Sequence, residues 1–153
     1  MSATFIDIEN DILAQIRADI NYVETVQTIE SDIVTKIEKL NIKFPAALTM
    51  YQGSEFSLVD NTNWNEKPTF IVFCVTRTLR SRAKARKGDN ANSKKGAYDL
   101  VKDVLLSLTN QDFGREEIFR MSPVSVSQVL MTDRLVIYGI EFNNAFDTDY
   151  ENA

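Results

Sequence analysis

The chain has 153 residues, 44% of them hydrophobic, with 17 basic and 22 acidic side chains and no histidine. That length fits one domain whose core hides roughly 70% of the unfolded surface. The missing histidines exclude His-based general-base catalysis, Ser–His and Cys–His nucleophile pairs and most zinc sites. The sequence holds neither a P-loop pattern nor a GxGxxG segment. No apolar run approaches the ~20 residues that span a bilayer. The N-terminal stretch has no basic start or small-residue cleavage site and does not read as a signal peptide. A single cysteine, Cys74, cannot form an internal disulfide and suits a reducing compartment.

In chain order, Phe5, Ile8, Ile12, Ile16 and Ile20 step by three or four and predict an amphipathic helix over about 3–20. Thr4 is its candidate cap, with Asp7 three residues on; Asp19 near its end opposes the helix dipole. Residues 23–30 alternate imperfectly and predict a short edge strand. Ser31 is a candidate cap for a short helix carrying Ile33, Ile37 and Leu40. Residues 44–53 predict a strand that Pro45 can begin and Gly53 closes. The stretch 54–68 is polar and turn-rich and reads as a connection.

Residues 69–79, TFIVFCVTRTL, form the clearest strand. Its first seven residues are nearly all apolar, which predicts burial on both faces and pairing with 44–51 or with the last strand. Ser93 is the natural cap of a helix with Ala97, Val101, Val104, Leu105 and Leu108 on one face. Two strands over 116–133 and 134–146 close the domain. The acidic end, 147–153, reads as a mobile tail. The expected fold is α+β: a single domain, order α-(β)-α-β-β-α-β-β, with helices packed on a mainly antiparallel sheet of four or five strands.

Charge is distributed unevenly. Between Arg77 and Gly96 lie eight basic residues and one acidic, which leaves nine basic and twenty-one acidic elsewhere. The segment 80–92 reads as a flexible basic loop. Such runs are often only solvated, but this length exceeds ordinary connections. Arg77, Arg80, Arg82, Lys84, Arg86, Lys87, Lys94 and Lys95 are therefore candidate contacts to an acidic partner. No aromatic residue lies between Phe73 and Tyr98 to stack on a base, and the acidic remainder repels a duplex. An acidic neighbour, or another copy of the chain, is the better electrostatic match.

Trp64, in a polar stretch, is either an interface anchor or a cover for the sheet edge. Cys74, inside the most apolar strand, reads as a small buried hydrophobe. Asp60, Asp147, Asp149 and Glu151 lack the spacing of a calcium loop. Glu116 and Glu117 are adjacent, so a strand points them to opposite faces. No catalytic constellation, metal or cofactor is predicted.

Several segments together resemble one family: IENDILAQIRADI, FPAALTMYQGSEF, TFIVFCVTRTLR, KKGAYDLVKDVLLSL and RLVIYGIEF. The most telling pieces are Pro45–Gly53, the RTLR of Arg77–Arg80, GAYDLVKDV from Gly96 and YGIEF from Tyr138. Over about residues 5–146 the chain resembles the tail terminator, or tail-completion, proteins of Mu-like contractile-tailed bacteriophages and prophages. The resemblance implies a non-enzymatic virion protein, assembled in the host bacterial cytoplasm. It implies a homohexameric ring on the head-proximal end of the tail tube, where it ends tube and sheath polymerisation and presents a surface to the neck or connector. The genome would be the nucleic acid it meets, passing through the ring. The alternatives are a neck or head–tail joining protein, a nucleic-acid-binding module using the basic loop, and a carboxylate-pair hydrolase.

Overall fold

Phe5–Asp19 forms helix α1, burying Ile8, Ile12, Leu13 and Ile16 on one side. The computed structural model describes residues 4–30, 32–61, 63–77, 96–116 and 118–148. Asp7 caps α1 by accepting from the Thr4 backbone N–H at 2.9 Å, as the sequence predicts. Strand β1 is Thr25–Thr28, and helix α2, Ile33–Lys36, runs into a 3-10 turn over Ile37–Lys39. Asp32 caps α2, its Oδ1 accepting from Val34 N at 3.0 Å; the expected cap, Ser31, lies outside the described residues. Strand β2 is Ala46–Leu58, β3 is Trp64–Arg77, helix α3 is Ala97–Leu108, β4 is Ser122–Met131, β5 is Leu135–Asn143 and β6 is Phe146–Thr148.

The sheet runs β1-β2-β3-β5-β4, and β6 continues beside β3 beyond the end of β5. Only β1 and β2 are parallel; the other pairs are antiparallel. The α+β class agrees with the sequence reading, and so does the element order through β5; β6, a short added strand, makes the sheet six-stranded instead of four- or five-stranded. Strand β3 pairs with both expected partners, β2 on one side and β5 on the other.

Alternation along β3 builds two cores. Phe70, Val72 and Cys74 point to the side covered by α1 and α3, where they meet Ile8, Ile12, Ile16, Leu100, Val104, Ile140 and Phe142. Phe73 and Val75 point the other way and meet Ile29, Ile33, Ile37, Leu48 and Ile137. The short α2 segment thus covers the second face only near one end of the sheet. Gly139 serves that face: a Cβ there would stand 3.3 Å from Val129 and 3.5 Å from Phe73.

The helices are tied to each other by polar contacts across long sequence separations. Asp19 accepts from Gln15 Nε2 at 2.8 Å and from Ser107 Oγ at 2.7 Å. These bonds hold its carboxyl below its ordinary pKa and answer its position at the unfavourable end of α1. Tyr22 donates to the Asp103 carboxylate; burial first, then this bond, pushes the phenol upward. Arg115 binds Asp11 of α1 at 2.6 Å.

Three expectations need correction. Residues 54–68 are no connection: β2 runs on to Leu58 and β3 begins at Trp64, so the pair projects as a hairpin arm. The turn is confined to its tip, where Asp60 Oδ1 accepts from Asn63 N at 2.9 Å. Helix α3 is capped at Gly96, whose N–H donates to Asp99 Oδ2 at 2.9 Å; Ser93 lies outside the described residues. The acidic end starts two residues later than expected, because Asp147 and Thr148 pair with β3. The loop 80–92 and residues 149–153 lie outside the described residues.

Phe70 is fully buried at the centre of the helix-covered core. Phe70→Ala is expected to cost about 3–5 kcal/mol, measured by urea unfolding. The depressed Asp19 carboxyl contributes stability that is present above the ordinary carboxylate pKa of about 3.9 and is lost as pH falls through its lower folded value. The melting temperature of Asp19→Ala is therefore expected to lie below the parent's at pH 7 and to converge on it toward pH 2.

Candidate functional site

The hairpin arm begins at a β-bulge. Between Tyr51 and Gly53 the β2–β3 register shifts by one residue, and Gly53 adopts φ 132, a conformation that side-chain-bearing residues avoid. The bulge is stitched from the helix side. Tyr51 OH lies 2.5 Å from Ser54 Oγ, and Ser54 donates to Glu66 Oε2 at 2.5 Å. Since Ser54 has one proton and gives it to the carboxylate, Tyr51 is the donor to Ser54. Phe5 of α1 stacks on Tyr51 with ring centroids 4.2 Å apart. A buried carboxylate, two hydroxyls and two rings thus fix the arm's root to the body.

Beyond the root the arm exposes large apolar side chains. In the register Phe56↔Glu66 and Leu58↔Trp64, these residues share the helix side of the sheet with Phe70 and Val72. Phe56, Leu58, Val59 and Trp64 are between 39% and 59% exposed. Four large apolar side chains on one projection are more than scattered surface hydrophobics. The sequence reading singled out Trp64 alone. The others were legible in SEFSL, where apolar residues alternate with polar ones, but the neighbouring Asp, Asn and Thr suggested a loop.

At the other side of the sheet, β4 is an edge strand with exposed Val124 and Val126. An apolar groove of about 670 Å³ lies beside it on the helix side, lined by Tyr98, Val101, Lys102, Leu105, Leu106 and Pro123 among others.

Of the predicted contact residues, Trp64 and Arg77 are among those described. Trp64 and Arg77 stand at opposite ends of β3, roughly 40 Å apart at strand rise. Arg77 sits over the Phe44 ring at 5.4 Å. Arg80, Arg82, Lys84, Arg86, Lys87, Lys94 and Lys95 lie outside the described residues. Cys74 is buried, and burial pushes its thiol pKa up, which disfavours the reactive thiolate. Asp60 is engaged by Asn63 and Asp147 by Asn65. Among the described residues no group of three His, Cys, Asp or Glu side chains is placed to hold a metal, and no helix is long and apolar enough to cross a membrane.

The sequence matches the family described as Bacteriophage Mu, Gp37 over residues 4–147. The chain belongs to that family. This agrees with the resemblance to Mu-like phage proteins and makes the chain a phage structural protein. No curated protein is similar enough in sequence to match. A chain from the virion of a native gene transfer agent particle has the same fold, with a TM-score of 0.57 at 9% identity, covering 92% of this chain and 95% of that one.

Gly53→Ala adds a Cβ that meets nothing within 4 Å, so its cost is backbone strain alone. It is expected to destabilise the protein by about 1–3 kcal/mol, read as a lower urea midpoint with an unchanged slope.

Proposed function

We propose that the protein is a tail terminator: a virion assembly protein that forms a ring, expected to be hexameric, on the head-proximal end of the tail tube. There it ends tube and sheath polymerisation and offers the surface to which the neck or connector joins. The observation that carries this reading is membership of the Mu Gp37 family across nearly the whole chain. The likeness in fold to a chain of a gene transfer agent virion supports it. So does a surface built for contact, with an apolar arm on one side and an open edge on the other. The protein acts by occupying sites, without chemistry of its own.

The basic segment contributes as an electrostatic contact. Arg77, Arg80, Arg82, Lys84, Arg86, Lys87, Lys94 and Lys95 face a partner surface that carries acid, either a neighbouring subunit or the last ring of the tube. Charge pairs across such an interface chiefly speed encounter and select the partner.

Light scattering of the purified protein, with negative-stain images of tail tubes grown in its presence, tests the reading. The expected result is a ring near six subunits, in solution or on tube ends, and tubes that stop growing. Neutralising Arg80, Arg82, Lys84, Arg86 and Lys87 together is expected to weaken capping and its salt dependence. A protein that neither self-associates nor binds tube ends overturns the reading. Binding to duplex DNA whose log affinity falls with log salt at about −0.9 per contacted phosphate would instead favour the nucleic-acid module.

A further inference from the structure

Two lengths of strand edge have no partner strand among the described residues. Strand β1 covers β2 only at Ala46–Thr49, leaving the outer edge of Met50–Leu58 open. Strand β4 pairs with β5 on one side alone, leaving Ser122–Met131 open on the other. Both stretches are nine or ten residues long, and they lie at opposite margins of one sheet. Edges of this kind are usually blunted by charge. Here β4 contains no charged residue, and the blunting features it has are Pro123 near its start and register shifts at Pro123/Ser125 and Gln128/Leu130.

We infer that neighbouring copies of this chain join through these two edges, the β2 arm of one copy adding to β4 of the next. The inference rests on the ring reading above and supplies its interface. Four observations converge on a second copy as the occupant.

The first is strand direction. Along the path β2-β3-β5-β4 every pair is antiparallel, so β2 and β4 run in opposite senses. A copy rotated about an axis near the strand direction presents its β2 antiparallel to the first copy's β4. The second is the sheet face. In a continuous sheet the helix sides coincide, so the arm's Phe56 and Leu58 fall on the side of the groove between α3 and β4. An apolar pair on the arm thus meets an apolar groove beside the accepting edge.

The third is charge. The arm carries Glu55, Asp60 and Glu66 against one cation, Lys67, which lies across from Glu55; from Ile118 to Thr132 the only charge is Arg120. The groove adds Lys102. On the same helix Asp99 is engaged at the Gly96 cap and Asp103 by Tyr22. The arm's small acidic excess therefore meets a strand and a groove lining that carry no carboxylate. The fourth is closure. Through β5 and β3, Ser122 lies level with Gly53, whereas the free stretch of β2 extends on to Leu58. Pairing thus staggers neighbours by several residues, and closing a sheet on itself requires such a stagger. Because the two edges differ, the contact is head-to-tail, the kind that generates a ring where the rotation closes.

Crosslinking tests this. Ser57 and Ser125 lie on the side away from α1 and α3, by their registers with Asn65 and Glu141. One variant carries Ser57→Cys, another Ser125→Cys, and a third carries both. A bismaleimide spanning about 10 Å tolerates a register difference of two residues, about 7 Å, and the native Cys74 is buried. Assemblies are formed in solution or on tube ends. Mixed single variants are expected to give linked dimers, and the double variant a ladder up to the full ring. In parallel, Val126→Lys places a charge on the accepting edge. It is expected to leave the subunit's melting temperature unchanged and to cut the assembled fraction at least tenfold.

Rings that form without these links, or that tolerate Val126→Lys, overturn the edge pairing while the ring reading stands. Links between two Ser57→Cys copies overturn the head-to-tail arrangement. A parent protein that forms no assembly in solution or on tubes overturns the ring reading and this inference together.

Discussion

Everything in this fold is arranged around a strand that has no solvent face for half its length. From Phe70 to Val75 the side chains of β3 alternate between two apolar environments, and almost all are fully buried. Such a strand cannot stand at a margin, so it acquires β2 and β5 as neighbours. It also cannot leave either face bare, so α1 and α3 close one side and the α2 segment closes part of the other. Burying a large side chain is worth about 1.5–3 kcal/mol, and β3 concentrates that gain along one line. The arm is the part of the same strand that lies beyond the helices. Its alternation continues, and there Phe56, Leu58 and Trp64 remain well exposed.

The sequence disclosed the parts of the fold that have a strong period. TFIVFCV announced a central strand, and Ile8, Ile12 and Ile16 announced the face of α1. What stayed hidden depended on contacts distant in sequence. The arm was obscured because Asp60, Asn61 and Asn63 are turn formers, and local composition cannot tell a tight tip from a long loop. Its strands are instead secured by register with each other and by Tyr51, Ser54 and Glu66 at the root. Strand β6 was missed because Phe146–Thr148 is too short for any pattern. Gly96 as a cap was missed because the capping group is the side chain of Asp99, inside the helix.

The contact surface was legible only in part. Trp64 reads from its residue type as an interface anchor or a cover for the sheet edge, and it stands 39% exposed across from Leu58. It stands at the opposite end of β3 from Arg77. The absence of histidine removes His-based chemistry, and family membership marks a phage structural protein. For such a protein the informative residues are apolar ones left exposed: Phe56, Leu58 and Val126 say more than any ionisable group.

The path of the chain through the core has a consequence for synthesis. Helix α1 is complete by residue 19, yet the core it packs against includes Leu100, Val104, Ile140 and Phe142. At roughly 5–20 residues per second on the ribosome, β5 follows α1 by on the order of 6–25 s. For that interval Ile8, Ile12 and Ile16 have only part of their docking surface, supplied first by Ala47, Phe70, Val72 and Cys74 and then by Leu100 and Val104. The helix that emerges first thus completes its packing only when translation is almost over, and part of its apolar face waits uncovered until then.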